Sequence, residues 1–129
     1  SIAQFAAGAQ STISRLAESG KTVFYVSENP ELSYPAQACI LRPFQTNVKD
    51  CSVRRSVVLD RMSEYSNAFR NLAKVTFVDS LQAFCPDAKC IVFDEDGVLL
   101  YADDDHLSVA GSRFLVRRLL NQYLVPPAK

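Results

Sequence analysis

Residues 90–111 read CIVFDEDGVLLYADDDHLSVAG, and the fold turns on how this stretch is parsed. Two apolar runs, Ile91-Val92-Phe93 and Val98-Leu99-Leu100-Tyr101, flank Asp94-Glu95-Asp96-Gly97. An Asp-Gly turn between apolar runs predicts a β-hairpin. The second run passes through Asp103, Asp104, Asp105 and His106 to Ser108, a good N-cap. From there the spacing predicts a last helix that buries Phe114, Leu115, Leu119 and Tyr123 and stops at Pro126-Pro127.

Upstream, Ile2, Phe5, Ala6, Ala9, Ile13 and Leu16 keep three-and-four spacing before Gly20, which predicts an amphipathic helix over 2–19. The continuously apolar run Thr22 to Val26 suits a strand buried on both faces. A second helix is expected over about 54–74, with Val58, Met62, Tyr65, Phe69 and Leu72 on one face, leading into a strand at Val75 to Val78. A strand, helix, strand order makes those two strands parallel neighbours joined by a right-handed crossover. Residues 27–54 carry Pro30, Pro35 and Pro43 without a sustained period and read as a long irregular excursion. The segment DSLQAFCPDAKC, residues 79–90, reads as a short helix or turn. No internal repeat is present.

A chain of 129 residues holds one domain with its own core, here residues 1–129. Fourteen basic residues against fourteen acidic give no electrostatic case for nucleic acid or an anionic membrane as partner. No apolar run approaches the roughly 18 to 20 residues needed to span a bilayer. No basic-then-apolar leader follows Ser1, so any targeting segment is expected to have been removed or to lie outside this sequence.

Cys39, Cys51, Cys85 and Cys90 form two sequence-local pairs. Buried thiols of a cytosolic domain and a four-thiolate zinc site both fit the residue type. The spacing lacks the two-residue step of a zinc knuckle, and both pairs sit in loop-like sequence. This favours two short-loop disulfides, Cys39 with Cys51 and Cys85 with Cys90, and an oxidising compartment. The first would staple the excursion.

Two chemistries compete within the opening stretch. FDEDGVLL resembles the first motif of magnesium-dependent haloacid dehalogenase-type phosphatases, with Asp94 as nucleophile and Asp96 as acid and base. That family needs a hydroxyl motif, a lysine and an acidic pair downstream, and the 32 residues after Gly97 leave no room for them. A polar hairpin turn is the better reading. A calcium loop is weaker still, because the alternating oxygen ligands stop at Gly97.

In the second half, Asp103 lies three residues before His106. A carboxylate there can accept the Nδ1 proton, fix the tautomer and leave Nε2 facing a serine. The bland alternative is a solvated acidic loop with a surface histidine, and spacing alone fits Asp103, Asp104 or Asp105 as the partner. His106 is nevertheless the only histidine, so general-base chemistry by imidazole has no other source.

LLYADDDHLSVAGSRFL resembles the terminal block of the SGNH domain fused to family 3 membrane acyltransferases, the O-antigen and surface-polysaccharide O-acetylases. GKTVFYVSENPE and VTFVDSLQAFCPDAKCIVFDEDGVLLYADDDHLSVAG extend the likeness over most of the chain, the second cysteine pair included. The resemblance implies a three-layer αβα SGNH-hydrolase-like unit, with a partly parallel sheet and a β-hairpin, forming an incomplete domain. It implies Asp103 as orienter and His106 as base, a packing role for Gly111, and acyl transfer without metal or cofactor. The partners it implies are an acetyl donor and a surface-polysaccharide acceptor, reached from the periplasmic side of an inner-membrane protein.

One departure is plain. The family's Gly-Asp-Ser nucleophile block is missing, and Asp79-Ser80 lies at the wrong place in the order. The chain is therefore expected to be the C-terminal portion of such a domain, supplying base and orienter without serine or oxyanion donors, and inactive alone. It is also expected to dimerise through any sheet edge or apolar face so exposed. A non-catalytic glycan-binding or assembly module is the reading from another class.

Overall fold

A computed structural model describes residues 1–44 and 50–124. The chain is α/β, with helices and two two-stranded sheets among the described residues, and it divides into two compact units. The first comprises Ser1–Ser27 and Leu59–Asp79, the second Glu28–Val58 and Ser80–Lys129.

In the first unit, helix α1 (Ile2–Glu18) starts at Ser1, whose hydroxyl accepts from the Gln4 backbone N–H while the Gln4 side chain reaches back. It ends at Ser19, and Gly20 follows with φ +85°, a left-handed turn that glycine adopts without a Cβ penalty. Strand β1 (Phe24–Val26) pairs in parallel with β3 (Thr76–Val78), Tyr25 opposite Phe77. The parallel pair is the expected one, two residues shorter in β1 and one in β3. Its core is aromatic. Tyr25 stacks on Phe69 at 4.6 Å between ring centroids, and Phe5 meets the edge of Phe69 at 5.6 Å.

Helix α2 (Arg55–Arg70) contributes Leu59–Arg70 to this unit, where Phe69 is buried. It stops four residues before the expected Lys74, for a local reason. The Gln10 amide donates to the Ala73 carbonyl at 2.9 Å and accepts its N–H at 2.7 Å, and Lys74 takes φ +61°. A side chain from α1 thus satisfies the backbone that another helical turn would have used. Tyr65, expected on the buried face, is half exposed.

In the second unit, a 3₁₀ turn (Ala36–Cys39) and strand β2 (Val53–Arg54) lie within the stretch read as irregular. Residues 45–49 of that stretch lie outside the described residues. Disulfides join Cys39 to Cys51 and Cys85 to Cys90. β2 pairs antiparallel with β4 (Lys89–Cys90), Val53 opposite Cys90, so one short ladder links the two bridges. Helix α3 (Leu81–Phe84) buries Leu81, Ala83 and Phe84.

The hairpin of residues 91–101 forms through a single antiparallel bridge, Phe93 to Leu99, flanked by Leu100 N–H donating to the Val92 carbonyl. Helix α4 (Val109–Leu115) runs through a π-helical turn (Val116–Leu120) into α5 (Asn121–Leu124). Leu119 is buried, while Phe114, Leu115 and Tyr123 are half-buried. The expected stop at Pro126-Pro127 falls outside the described residues.

Candidate active site

The site is the loop between the hairpin and α4. Tyr101 and Leu107 form an antiparallel bridge at its base, and Ala102 N–H donates to the His106 carbonyl at 2.8 Å. Ser108 then sets the exit. Its hydroxyl donates to the Leu99 carbonyl at 2.9 Å and accepts from the Gly111 N–H at 3.0 Å, capping α4. Gly111 is where the helix meets the hairpin. A Cβ there would stand 1.9 Å from the Leu100 carbonyl oxygen, so only glycine permits this approach.

Within the loop, Asp103 Oδ1 accepts the backbone N–H groups of Asp105 at 3.0 Å and His106 at 2.7 Å. The same carboxylate faces the imidazole, with Oδ2 2.9 Å from Nδ1. Asp105 Oδ1 lies 2.8 Å from that nitrogen as well. Asp104 takes another part, its carbonyl accepting the Leu32 N–H at 2.7 Å.

The electrostatics follow from these contacts. The two backbone N–H groups, His106 first, hold the Asp103 carboxyl down to about 2. The Asp103 hydrogen bond, followed by the charges of Asp103 and Asp105, raises the His106 pKa above the usual 6.5. Nδ1 held by carboxylates leaves Nε2 as the nitrogen available for proton transfer. The ligand atoms of Asp103, Asp105 and His106 lie within 4.8 Å of one another, a spacing that would also admit a metal ion.

The other half of the opening stretch has a structural job. Asp94 Oδ1 accepts the N–H groups of Asp96 and Val98, both at 2.9 Å, and Gly97 takes φ +76°. The carboxylate that a phosphatase would use as nucleophile closes a turn. Ser80, the one serine preceded by aspartate, is fully buried and donates its hydroxyl to the Glu28 carbonyl.

Spacing left Asp103, Asp104 and Asp105 open as the partner of His106, and the geometry gives Nδ1 two of them, Asp103 and Asp105. Sequence reasoning missed Asn29 and Gln37, whose side-chain amides donate to the Asp105 and Ala102 carbonyls. Their only local signal was a Pro-containing loop.

The family model described as the SGNH domain fused to AT3 domains matches residues 2–121, and the chain belongs to that family. It is therefore an acyltransferase-associated, hydrolase-like module. No curated protein and no solved structure matches it. Such domains are typically extracytoplasmic, and the two disulfides fit an oxidising compartment. Among the described residues, no helix is long and apolar enough to cross a membrane.

Proposed function

We propose that this chain is a C-terminal SGNH portion supplying base and orienter for an O-acetyltransferase of cell-surface polysaccharide, of the lipopolysaccharide O-antigen type. The observation that supports this most is the Asp103 carboxylate on His106 Nδ1, 2.9 Å away. In the first half-reaction a serine contributed from outside this chain attacks the acetyl carbonyl, and Nε2 takes the hydroxyl proton. The imidazolium returns that proton to the leaving group, and an acetyl-serine remains. In the second half, Nε2 takes the proton of a sugar hydroxyl as its oxygen attacks the ester, then gives it to the departing serine. Asp103 holds the tautomer and stabilises the imidazolium throughout.

The test is O-acetyl content of surface polysaccharide in cells making the whole protein. His106→Ala and Asp103→Asn are each expected to cut transfer by about 10³-fold or more. Unchanged acetylation in both variants would overturn the catalytic reading and favour a glycan-binding module. The 129-residue chain alone is expected to hydrolyse acetyl esters no faster than buffer. A rate above buffer that falls on His106→Ala would show that the nucleophile is within the chain.

A further inference from the structure

The His106 loop is held from outside as well as from within. Within it, Asp103 accepts two loop N–H groups and Ala102 N–H donates to the His106 carbonyl, and other loop carbonyls find support elsewhere. That support comes from residues 29–37. Asn29 Nδ2 donates to the Asp105 carbonyl at 3.0 Å, Leu32 N–H to the Asp104 carbonyl at 2.7 Å, and Gln37 Nε2 to the Ala102 carbonyl. Each donor has a buried anchor at or beside it. Pro30 follows Asn29, Leu32 is itself buried, and Ala36 precedes Gln37. The 3₁₀ turn that carries Gln37 ends at Cys39, which is bonded to Cys51.

We infer that Asn29 and Gln37 are positioning residues for His106, fixing the loop carbonyls so that Asp103 and Asp105 both face Nδ1. This rests on the reading of His106 as the base. The clamp does not touch the reacting atoms. It sets the tautomer and aim of the group that does, and small displacements of such a group lower rate steeply.

The single histidine makes the test clean. In the isotopically labelled 129-residue chain, long-range nitrogen–proton correlations through the imidazole report its tautomer and its titration midpoint without assignment ambiguity. Asn29→Leu and Gln37→Met keep side-chain bulk and remove the amide donors. Each is expected to move the midpoint down toward the ordinary histidine value and to mix the neutral tautomers, with amide signals outside the loop unchanged. Folded variants whose imidazole signals match the wild type would overturn the proposal.

Should a variant fail to fold, the wild-type chain decides. Scalar couplings across the hydrogen bonds from Leu32 N to the Asp104 carbonyl carbon, and from Asn29 Nδ2 to that of Asp105, are expected. Their absence overturns the clamp. The two readings fail separately. Unchanged acetylation in His106→Ala sinks the base and leaves the clamp standing, and unmoved imidazole signals do the reverse.

Discussion

Asp103 holds His106 at both ends: one carboxylate oxygen lies 2.7 Å from the backbone nitrogen of His106, and the other 2.9 Å from its Nδ1. The ring therefore cannot rotate away without breaking with the carboxylate that also fixes its main chain. Asp103 thus acts on both the orientation and the tautomer of the ring.

That geometry has a pH signature. The His106 pKa is raised above 6.5, and the proposed base acts only when neutral, so acyl transfer by the whole protein is expected to rise as pH climbs through the raised value. The stabilisation that protonated His106 lends the fold is complete below 6.5 and is lost as pH rises through the folded-state value. Asp103 runs the other way, contributing above its usual 3.8 and losing that contribution as pH falls through about 2. Asp103→Asn is expected to lower the His106 midpoint, read by nuclear magnetic resonance titration. An unmoved midpoint would leave Asp105 as the partner that matters.

Gly111→Ala is expected to destabilise the chain by about 1–3 kcal/mol, because the new methyl must push α4 off the Leu100 carbonyl. Urea denaturation measures it. A variant within about 0.5 kcal/mol of wild type would contradict so close an approach.

Tyr101 is 1% exposed, and among the described residues its hydroxyl has no hydrogen-bond partner. Burial also pushes its pKa up. Removing an unsatisfied hydroxyl while keeping the ring against Phe84 should be neutral or stabilise by about 1 kcal/mol, so Tyr101→Phe is expected to unfold at equal or higher urea. A loss of about 1 kcal/mol or more would reveal a partner for that hydroxyl.

Asp94→Ala removes the acceptor of two turn N–H groups and is expected to cost about 1–2 kcal/mol. No phosphatase activity is expected to be lost with it. Magnesium-dependent turnover of an aryl phosphate that vanished in Asp94→Asn would reinstate the first half of the opening stretch as the active site.

What could be read from the sequence is what local rules govern. The Asp-Gly turn, Ser108 as N-cap and the parallel pairing of Phe24–Val26 with Thr76–Val78 all follow from spacing and residue type, whereas of the predicted α1 face only Ile13 is buried and Phe5 and Leu16 are exposed. The early end of α2 did not follow from them, since Gln10 reaches Ala73 across 63 residues. Nor did the clamp on the His106 loop, because an amide in a Pro-containing loop carries no mark of the carbonyl it will find. The three aspartates were indistinguishable by spacing. Backbone geometry separates them, giving Asp103 and Asp105 to the ring and only the carbonyl of Asp104 to Leu32.

The clamp and the disulfides close loops of very different length. The clamp's side-chain hydrogen bonds join residues 76 and 65 apart, whereas the disulfides close separations of 12 and 5. Long closures cost more chain entropy than short ones. Closing the two covalent loops therefore does not by itself bring residues 29–37 to the His106 loop. Disulfide status and placement of the imidazole are separate measures of the native state.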